Sequence, residues 1–575
     1  MSASRVGINR MVITTPGLFI KPDQMAMSVS EKEVHATLKK EADAAKAAGK
    51  EWRQPTAAEV REMIIKAAPV NESKMRKGIG IETIRLPGFS ESNATFVADS
   101  IYDFVKGVVG DKAALKKLTA EPVKSIYFGT ESNPDRSRPE LEVALMLAFS
   151  KLLAEDEKRY RPIVEMFRHA RVVPITYACV GGVISLHEAT TRVRLACDNG
   201  SPESSVVISA DTAYYNVKKA PGAEVTQGAA ATLMWVTRDP EFVEISEKSG
   251  NFHMTLSDFT KFVDEMPYVH GKFSEIVYVY TVGRALENLE GELGAGKSRG
   301  AGILKGLDFF ICHVPFPKQA IYLGSFLFVH QMKLSNPALQ KEIEARPNIG
   351  PEPLDKSKYS HLTDMIESKF NVFNRGPAHQ NENEVVKHIE NDPEIKAYWD
   401  WLKKIRDAPE FEGFINSLNI KQALVLPSQI GNSYSSSAPV SLASLASNAF
   451  AGAGDGGVYE RKGILAGYGS GAQATVYPIK IVAKHERVGA LLKVLINTDK
   501  KFALTVQQYE ELHRIHVGGD AARLTSGEDL VEKDKKFLNL EVLPQGFHVV
   551  KRNEDGTGEY VYSDGASIRP VKIMH

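Results

Sequence analysis

The sequence predicts an α/β protein in which buried strands are covered by helices. Short runs of β-branched and aromatic residues alternate with longer helical patterns along most of the 575 residues. Between residues 170 and 211 the order is strand, tight turn, helix and strand, and the helix stops at Asn199-Gly200. This order is typical of a sheet flanked by helices.

The predicted strands and helices divide the chain into an α/β body and two helical insertions. Residues about 30–70 and about 332–420 are rich in charged residues with helical spacing, and we interpret both as insertions on the body. The predicted strands are 125–130, 170–178, 204–211, 306–316, 421–428 and a hairpin within 463–482.

The composition excludes several classes of function. Lys plus Arg and Asp plus Glu number 71 each, so no net charge predicts a nucleic-acid or membrane partner. No apolar run has the length of a membrane span, and the first residues do not resemble a signal peptide. Three cysteines form no disulfide framework, and we expect a cytoplasmic protein. The His and Cys spacing predicts no metal and no redox cofactor.

One stretch matches a nucleotide-binding pattern in the wrong setting. The letters "GELGAGKS" at 291–298 fit the loop that holds phosphates in many ATPases. Such a loop needs a strand before it and a helix after it, whereas the preceding residues are helical and the following ones are rich in glycine. We therefore predict a glycine-rich helix end, and ATP binding by the protein would support the alternative.

Cys179, in "ITYACVGG", is the first candidate for catalysis. It lies between a predicted strand and a predicted helix, and a helix N-terminus favours a thiolate. Gly181 and Gly182 would let an acyl group approach without meeting a Cβ atom. The alternative is a buried core thiol, which is the interpretation we adopt for Cys197 and Cys312.

Glu131 and His313 are two further candidates, each at the end of a predicted strand. Burial would raise the pKa of Glu131 towards that of a useful base. His313 stands where its strand meets Pro315, although a lone histidine is more often structural. We expect the three strand ends that carry Glu131, Cys179 and His313 to meet at one edge of the sheet.

Several motifs in order resemble a known family. They are "GIGIETIRLP", "GTES", "ACVGG", "SADTAYY", "TQGAAATLMW", "CHVPFPK", "GNSYSSS" and "GYGSG". The sequence resembles the 3-hydroxy-3-methylglutaryl-CoA (HMG-CoA) synthases, a family of thiolase-fold condensing enzymes. The resemblance implies a thiolase-like fold with two similar halves in α-β-α-β-α layers. The halves would be 1–245, with Glu131 and Cys179, and 246–575, with His313, Asn432 and Ser470.

The resemblance also implies a reaction and a role for each matching residue. Cys179 would take an acetyl group from acetyl-CoA, Glu131 would remove a proton from its methyl group, and His313 would hold the carbonyl of acetoacetyl-CoA. The implied substrate-binding residues are Tyr215, Lys318, Asn432 and Ser470. The CoA thioesters would be substrates, with no further cofactor. A homodimer is implied, and the insertions could bind a thiolase or another partner.

Departures from the family pattern keep the substrate open. Val180 replaces a common tyrosine, Tyr177 a common glutamate, and His270 an aspartate. The alternatives are a β-branching enzyme acting on carrier-protein-bound β-ketothioesters, a type III ketoacyl synthase that would not need Glu131, and a non-catalytic scaffold.

Overall fold

The computed structural model describes residues 4–132, 140–215, 220, 222–261, 266–294, 302–374, 382–448, 460–517, 529–553 and 558–574. The helices are α1 Pro22–Ala47, α2 Ala57–Ser73, α3 Asn93–Gly110, α4 Lys112–Ala120, α5 Glu140–Arg168, α6 Gly181–Asp198, α7 Gly271–Glu292, α8 Pro317–Ser335, α9 Pro337–Glu344, α10 Leu362–Asn374, α11 Glu382–Asn391, α12 Pro393–Ile405, α13 Pro409–Ser417, α14 Ile420–Ala423, α15 Val425–Ile430, α16 Ser437–Asn448, α17 His485–Leu491, α18 Val506–Val517 and α19 Leu530–Leu538.

The strands are β1 Val6–Thr14, β2 Leu18–Ile20, β3 Ile84–Leu86, β4 Val123–Gly129, β5 Arg171–Ile175, β6 Ser204–Ala213, β7 Gly228–Arg238, β8 Val243–Ile245, β9 Gly250–His253, β10 Phe259–Thr260, β11 Tyr268–Val269, β12 Phe309–Cys312, β13 Arg461–Gly469, β14 Gln473–Ile481, β15 Leu492–Leu495, β16 Gly546–Arg552, β17 Gly558–Ser563 and β18 Ile568–Pro570.

The main sheet has two parts, which are joined side by side through one short strand. One part contains β5, β4, β6, β7 and β1, and the other contains β12, β13 and β14. The short strand β8 joins them because it pairs antiparallel with both β1 and β14. The parallel pairs β4–β5 and β4–β6 bring the carboxyl ends of these three strands to one edge.

Alternating side chains on the strands create five layers. In β6, Val206 and Ile208 pack with α3 and α5, whereas Val207 faces the other way and packs with α6 and α16. In β12, Phe309 and Ile311 join that same central layer, and Phe310 packs with α7 and α8. Because successive side chains of a strand point to opposite faces, each part of the sheet is covered on both sides. The predicted α-β-α-β-α order is confirmed.

Both predicted insertions are helical. The first is the pair α1 and α2, in which Thr56 caps α2 through a reciprocal bond with Glu59. The second contains α9 to α13, and proline occupies the first turn of α9, α12 and α13, where its missing N–H is not needed. The apolar faces of α9 to α13 pack beside α7 and α8.

Some sequence predictions need correction. Residues 421–428 were predicted as a strand, but the structure has α14 and α15 there. A short apolar run fits a buried helix as well as a strand, and this one packs against α16. The predicted hairpin at 463–482 is confirmed as β13 and β14. Of the stretch 291–298, only 291–294 are described. They end α7, as predicted, and the rest lies outside the described residues.

Within the described ranges, no helix combines the length and the apolar composition that crossing a membrane requires.

Candidate active site

Cys179 lies in the turn between β5 and α6, as the sequence predicted. Ala178, just before it, has a φ of 37°, a left-handed conformation that is uncommon outside glycine. This bend leaves the Cys179 side chain 7% exposed, packed near Tyr215 and Tyr434. Backbone strain of this kind is frequent where a reactive group is held in place.

Glu131 meets Cys179 from the end of the neighbouring strand β4. The thiol Sγ donates a hydrogen bond to Glu131 Oε2 at 3.4 Å. The parallel pairing of β4 and β5 brings the two groups together, because both follow the carboxyl ends of adjacent strands. Burial raises the pKa of Glu131, and the carboxylate of Asp211 raises it further. Burial, followed by the charge of Glu131, raises the pKa of the Cys179 thiol well above its ordinary value.

Asp211 is a positioning residue that the sequence analysis did not single out. It is fully buried at the end of β6, and its Oδ1 accepts bonds from the N–H groups of Glu131 and Ser132, both at 2.9 Å. The Thr130 hydroxyl binds the same oxygen, and the N–H of Ser435 binds Oδ2 at 3.0 Å. Asp211 therefore fixes the backbone that carries Glu131. A carboxylate near the end of a buried strand, in "SADTAYY", was the available signal.

Lys261 is a second residue that the sequence analysis did not single out. Its Nζ lies 2.8 Å from Glu131 Oε1, and its side chain is 19% exposed. Burial alone would lower the pKa of Lys261, but the carboxylate of Glu131 outweighs this effect and the pKa is raised. The residue follows the two-residue strand β10, which gives no local pattern that predicts an ion pair with Glu131.

His313 follows β12, on the other part of the sheet. Its ring is buried beside Tyr468, with the ring centres 6.2 Å apart. Its backbone is held by the hydroxyl of Tyr278, which donates to the His313 carbonyl at 2.7 Å. Burial lowers the pKa of His313 to about 3, so the imidazole is neutral at physiological pH. Its Nδ1 has no hydrogen-bond partner within the described part of the chain.

Asn432 and Tyr215 form a bonded pair beside Cys179. The Asn432 amide donates to the Tyr215 hydroxyl at 3.2 Å, and Asn432 Oδ1 accepts the N–H of Tyr434. Gly431, just before them, has a φ of 86° and lies against the backbone of Gln227, so a side chain does not fit there.

Asp258 holds the loop that carries Ser470 and was also not singled out from the sequence. It accepts bonds from the Tyr468 hydroxyl and the N–H of Gly471, both at 2.9 Å, and from the Ser274 hydroxyl at 3.0 Å. These bonds join β13, the loop after it and the start of α7.

A cavity of about 640 Å³ collects most of the predicted site residues. Its wall includes Cys179, Tyr215, His313, Asn432 and Ser470. Glu131 contacts the thiol but is not among the residues that line the cavity. Lys318 is also absent from the wall, although its neighbour Phe316 is part of it. His270, one of the departures from the family pattern, does line the cavity.

The glycines after Cys179 serve packing in the structure. A Cβ on Gly182 would lie 2.2 Å from the carbonyl oxygen of Ser435, so the glycine allows α6 to approach that segment. This reason differs from the acyl-group access expected from the sequence. Val180 is fully buried against Gly469, where a Cβ would lie 2.8 Å from a Val180 methyl group.

The remaining cysteines lie away from Cys179. Cys312 is buried in β12 among residues of the α7–α8 layer, and Cys197 is half-buried on α6. Across the described ranges, no group of three or more His, Cys, Asp or Glu side chains is placed to hold a metal ion.

Comparison with known proteins gives a consistent set of relatives. No protein-family model matches the sequence. The chain is 27% identical over 460 residues to a hydroxymethylglutaryl-CoA synthase of Haloferax volcanii, covering 78% of this chain and 87% of that protein. It is 23% identical over 498 residues to the hydroxymethylglutaryl-CoA synthase of Saccharomyces cerevisiae, covering 84% and 85%.

Solved structures show the same fold. MvaS in complex with 3-hydroxy-3-methylglutaryl coenzyme A matches with a TM-score of 0.57 at 18% identity, covering 98% of this chain and 100% of that one. PksG, an HMG-CoA synthase from Bacillus, matches with a TM-score of 0.56 at 12% identity, covering 98% and 100%. The chain therefore shares the fold of these structures and is a relative of enzymes named hydroxymethylglutaryl-CoA synthases.

Proposed function

We propose that this protein condenses acetyl-CoA with acetoacetyl-CoA and water to give 3-hydroxy-3-methylglutaryl-CoA. The observation that carries the proposal is the contact of 3.4 Å between Cys179 Sγ and Glu131 Oε2 beside a cavity that His313 and Asn432 line. A nucleophile and a base are thus in contact, and a polar ring shares the space where a second substrate would lie.

The first step is acetyl transfer to Cys179. The raised pKa keeps the thiol neutral, so its proton must leave as sulfur attacks the acetyl carbonyl, and Glu131 is placed to take it. The bond between the carbonyl carbon and the CoA sulfur then breaks. The proton passes from Glu131 to the departing CoA thiolate, which returns Glu131 to its carboxylate form.

The second step forms the carbon–carbon bond. Glu131 removes a proton from the methyl group of the acetyl thioester, and the resulting enolate carbon attacks the ketone carbon of acetoacetyl-CoA. Negative charge develops on the ketone oxygen. His313, neutral because of its lowered pKa, acts as a hydrogen-bond donor to that oxygen. The proton that Glu131 took from the methyl group is delivered to the same oxygen, which forms the hydroxyl and returns Glu131 to its carboxylate form.

The last step is hydrolysis. Water cleaves the bond between Cys179 and the product, which regenerates the free thiol and releases the new carboxylate. No resident cofactor enters these steps, because both CoA thioesters are substrates. Asn432 and Tyr215 are assigned to hold the acetyl group, and Ser470 lines the same wall. Lys318 is assigned to the CoA phosphates outside the cavity.

The test is a product assay with matched variants. Purified protein is incubated with both CoA thioesters, and the product is identified by mass spectrometry. We expect product from the wild type and from Cys197→Ala, and none from Cys179→Ala. Absence of an acetyl adduct on Cys179 after incubation with acetyl-CoA would contradict the proposal and favour a non-catalytic role.

The alternative of carrier-protein-bound substrates is tested in the same assay. One solved relative is the curacin-pathway HMG synthase in complex with holo donor-ACP, which matches this chain with a TM-score of 0.57 at 13% identity. We expect faster condensation with acetoacetyl-CoA than with an acetoacetyl carrier protein. The opposite ranking would assign the chain to β-branching.

The assembly and location belong to the same proposal. We assign the protein to the cytoplasm, in line with its three free cysteines, and to a homodimer, in line with the resemblance. Light scattering on the purified protein tests the dimer.

A further inference from the structure

Lys261 is the cation that contacts the proposed base. Its Nζ is 2.8 Å from Glu131 Oε1, while the other oxygen, Oε2, accepts the thiol proton of Cys179. The carboxylate therefore has one oxygen for the lysine and the other for the reacting sulfur.

Aromatic rings hold the ammonium group in that place. It lies 4.9 Å from the centre of the Tyr434 ring and 5.8 Å from that of Phe259. A cation near the face of an aromatic ring is attracted to it, so these rings favour a charged lysine even though the site is largely buried. Tyr434 also borders the cavity and packs beside Tyr215, so the rings connect the lysine to the acetyl pocket.

The neighbouring carboxylate of Asp211 has hydrogen-bond partners other than the lysine. Asp211 already receives hydrogen bonds on both oxygens from the backbone and hydroxyl groups around it. Within the described part of the chain, the charged and titratable groups that interact with Glu131 are Lys261, Asp211, Cys179, Tyr215 and Tyr434. Of these, Lys261 alone carries positive charge.

We propose that Lys261 is a positioning residue that keeps Glu131 ionised and turns its other oxygen, Oε2, towards the atoms bound to Cys179. The inference rests on the proposed condensation. Without the lysine, a buried glutamate beside Asp211 would bind a proton more readily and would rotate about its side-chain bonds. The base would then ionise only at higher pH than in the wild type.

The experiment compares pH profiles of condensation. Lys261→Met removes the charge at similar length, Lys261→Arg keeps it, and Lys341→Met changes an exposed lysine of α9 as a control. An opposite charge at this distance lowers the pKa of a carboxyl by about 1–3 units. We therefore expect the fall in kcat/KM on the acid side to move upward by at least about one pH unit in Lys261→Met. Lys261→Arg and Lys341→Met should keep the wild-type profile.

A double-mutant cycle separates this role from a structural one. If Lys261 acts through Glu131, adding Lys261→Met to Glu131→Gln causes no further loss of condensation. The inference would be overturned if the double variant lost activity by the product of the two single losses. It would also be overturned if Lys261→Met lowered kcat/KM equally at every pH. A shifted profile in Lys261→Arg would also overturn it, and this variant preserves the charge if Lys261→Met fails to fold. Wild-type protein without condensation would refute the proposed function, whereas active wild type with an unmoved Lys261→Met profile refutes only this inference.

Discussion

Asp211 Oδ1 accepts the backbone N–H of Glu131 at 2.9 Å, at the point where the chain leaves β4 for the site. We expect Asp211→Asn to lower condensation at least tenfold and to reduce the free energy of unfolding by about 1–3 kcal/mol, since an amide nitrogen would face donors. Steady-state kinetics and urea unfolding measure the two effects. Asp407→Asn, at an exposed position, should change neither. Wild-type activity in Asp211→Asn would mean that Glu131 is held by other contacts.

Glu131 should set the acid side of the activity profile. A general base must be ionised, and burial raises its pKa above the ordinary 4.5, so activity falls as the pH drops through that raised value. We expect the decline at higher pH than for an exposed glutamate. Glu131→Gln should lose about 10²–10⁴-fold in condensation. Measurement of kcat/KM against pH tests both. Full condensation by Glu131→Gln would favour the ketoacyl synthase alternative.

The Cys179 thiol should become more acidic when Glu131 is neutralised. The charge of Glu131 is one of the causes that raise the pKa of the thiol, after burial. We expect the pH profile of alkylation by iodoacetamide to move to lower pH in Glu131→Gln, although that variant has lost condensation. Peptide mass mapping separates Cys179 from Cys197. An unmoved alkylation profile would show that burial alone controls the thiol.

His313 should affect the second substrate more than the first. Its pKa of about 3 means that no inflection near 6.5 should appear in the activity profile. In His313→Ala, we expect Cys179 to be acetylated normally, while kcat/KM for acetoacetyl-CoA falls at least tenfold. Acetyl adduct formation and steady-state kinetics are the two measurements. Equal loss in both steps would place His313 in acetyl transfer as well.

Gly182 should not tolerate a side chain. The added methyl of Gly182→Ala would meet the Ser435 carbonyl, and overpacking of this kind costs about 1–3 kcal/mol. We expect a lower unfolding temperature and reduced activity. Gly489→Ala, in a helix with open space around it, serves as the control and should be neutral or slightly stabilising. Unchanged stability in Gly182→Ala would mean that the Ser435 segment can move away.

Local pattern predicted the parts of the site that depend on neighbours in sequence. The strand–turn–helix around Cys179, and the strand ends at Glu131 and His313, follow from runs of apolar residues and their breaks. Lys261 and Asp211 were missed because their partners are far away in the chain. The strand prediction at 421–428 was wrong because apolar spacing in a short run does not separate strand from buried helix.

The bond from Ser435 to Asp211 and the contact of Gly469 with Val180 have a consequence for biosynthesis. During translation, Cys179 leaves the ribosome 256 residues before Ser435 and 290 residues before Gly469. Until residues near 470 have emerged, the nascent chain therefore lacks part of the structure that encloses the Cys179 thiol. We therefore expect this thiol to be more open to oxidants in the nascent chain than in the folded protein, where Cys179 is 7% exposed.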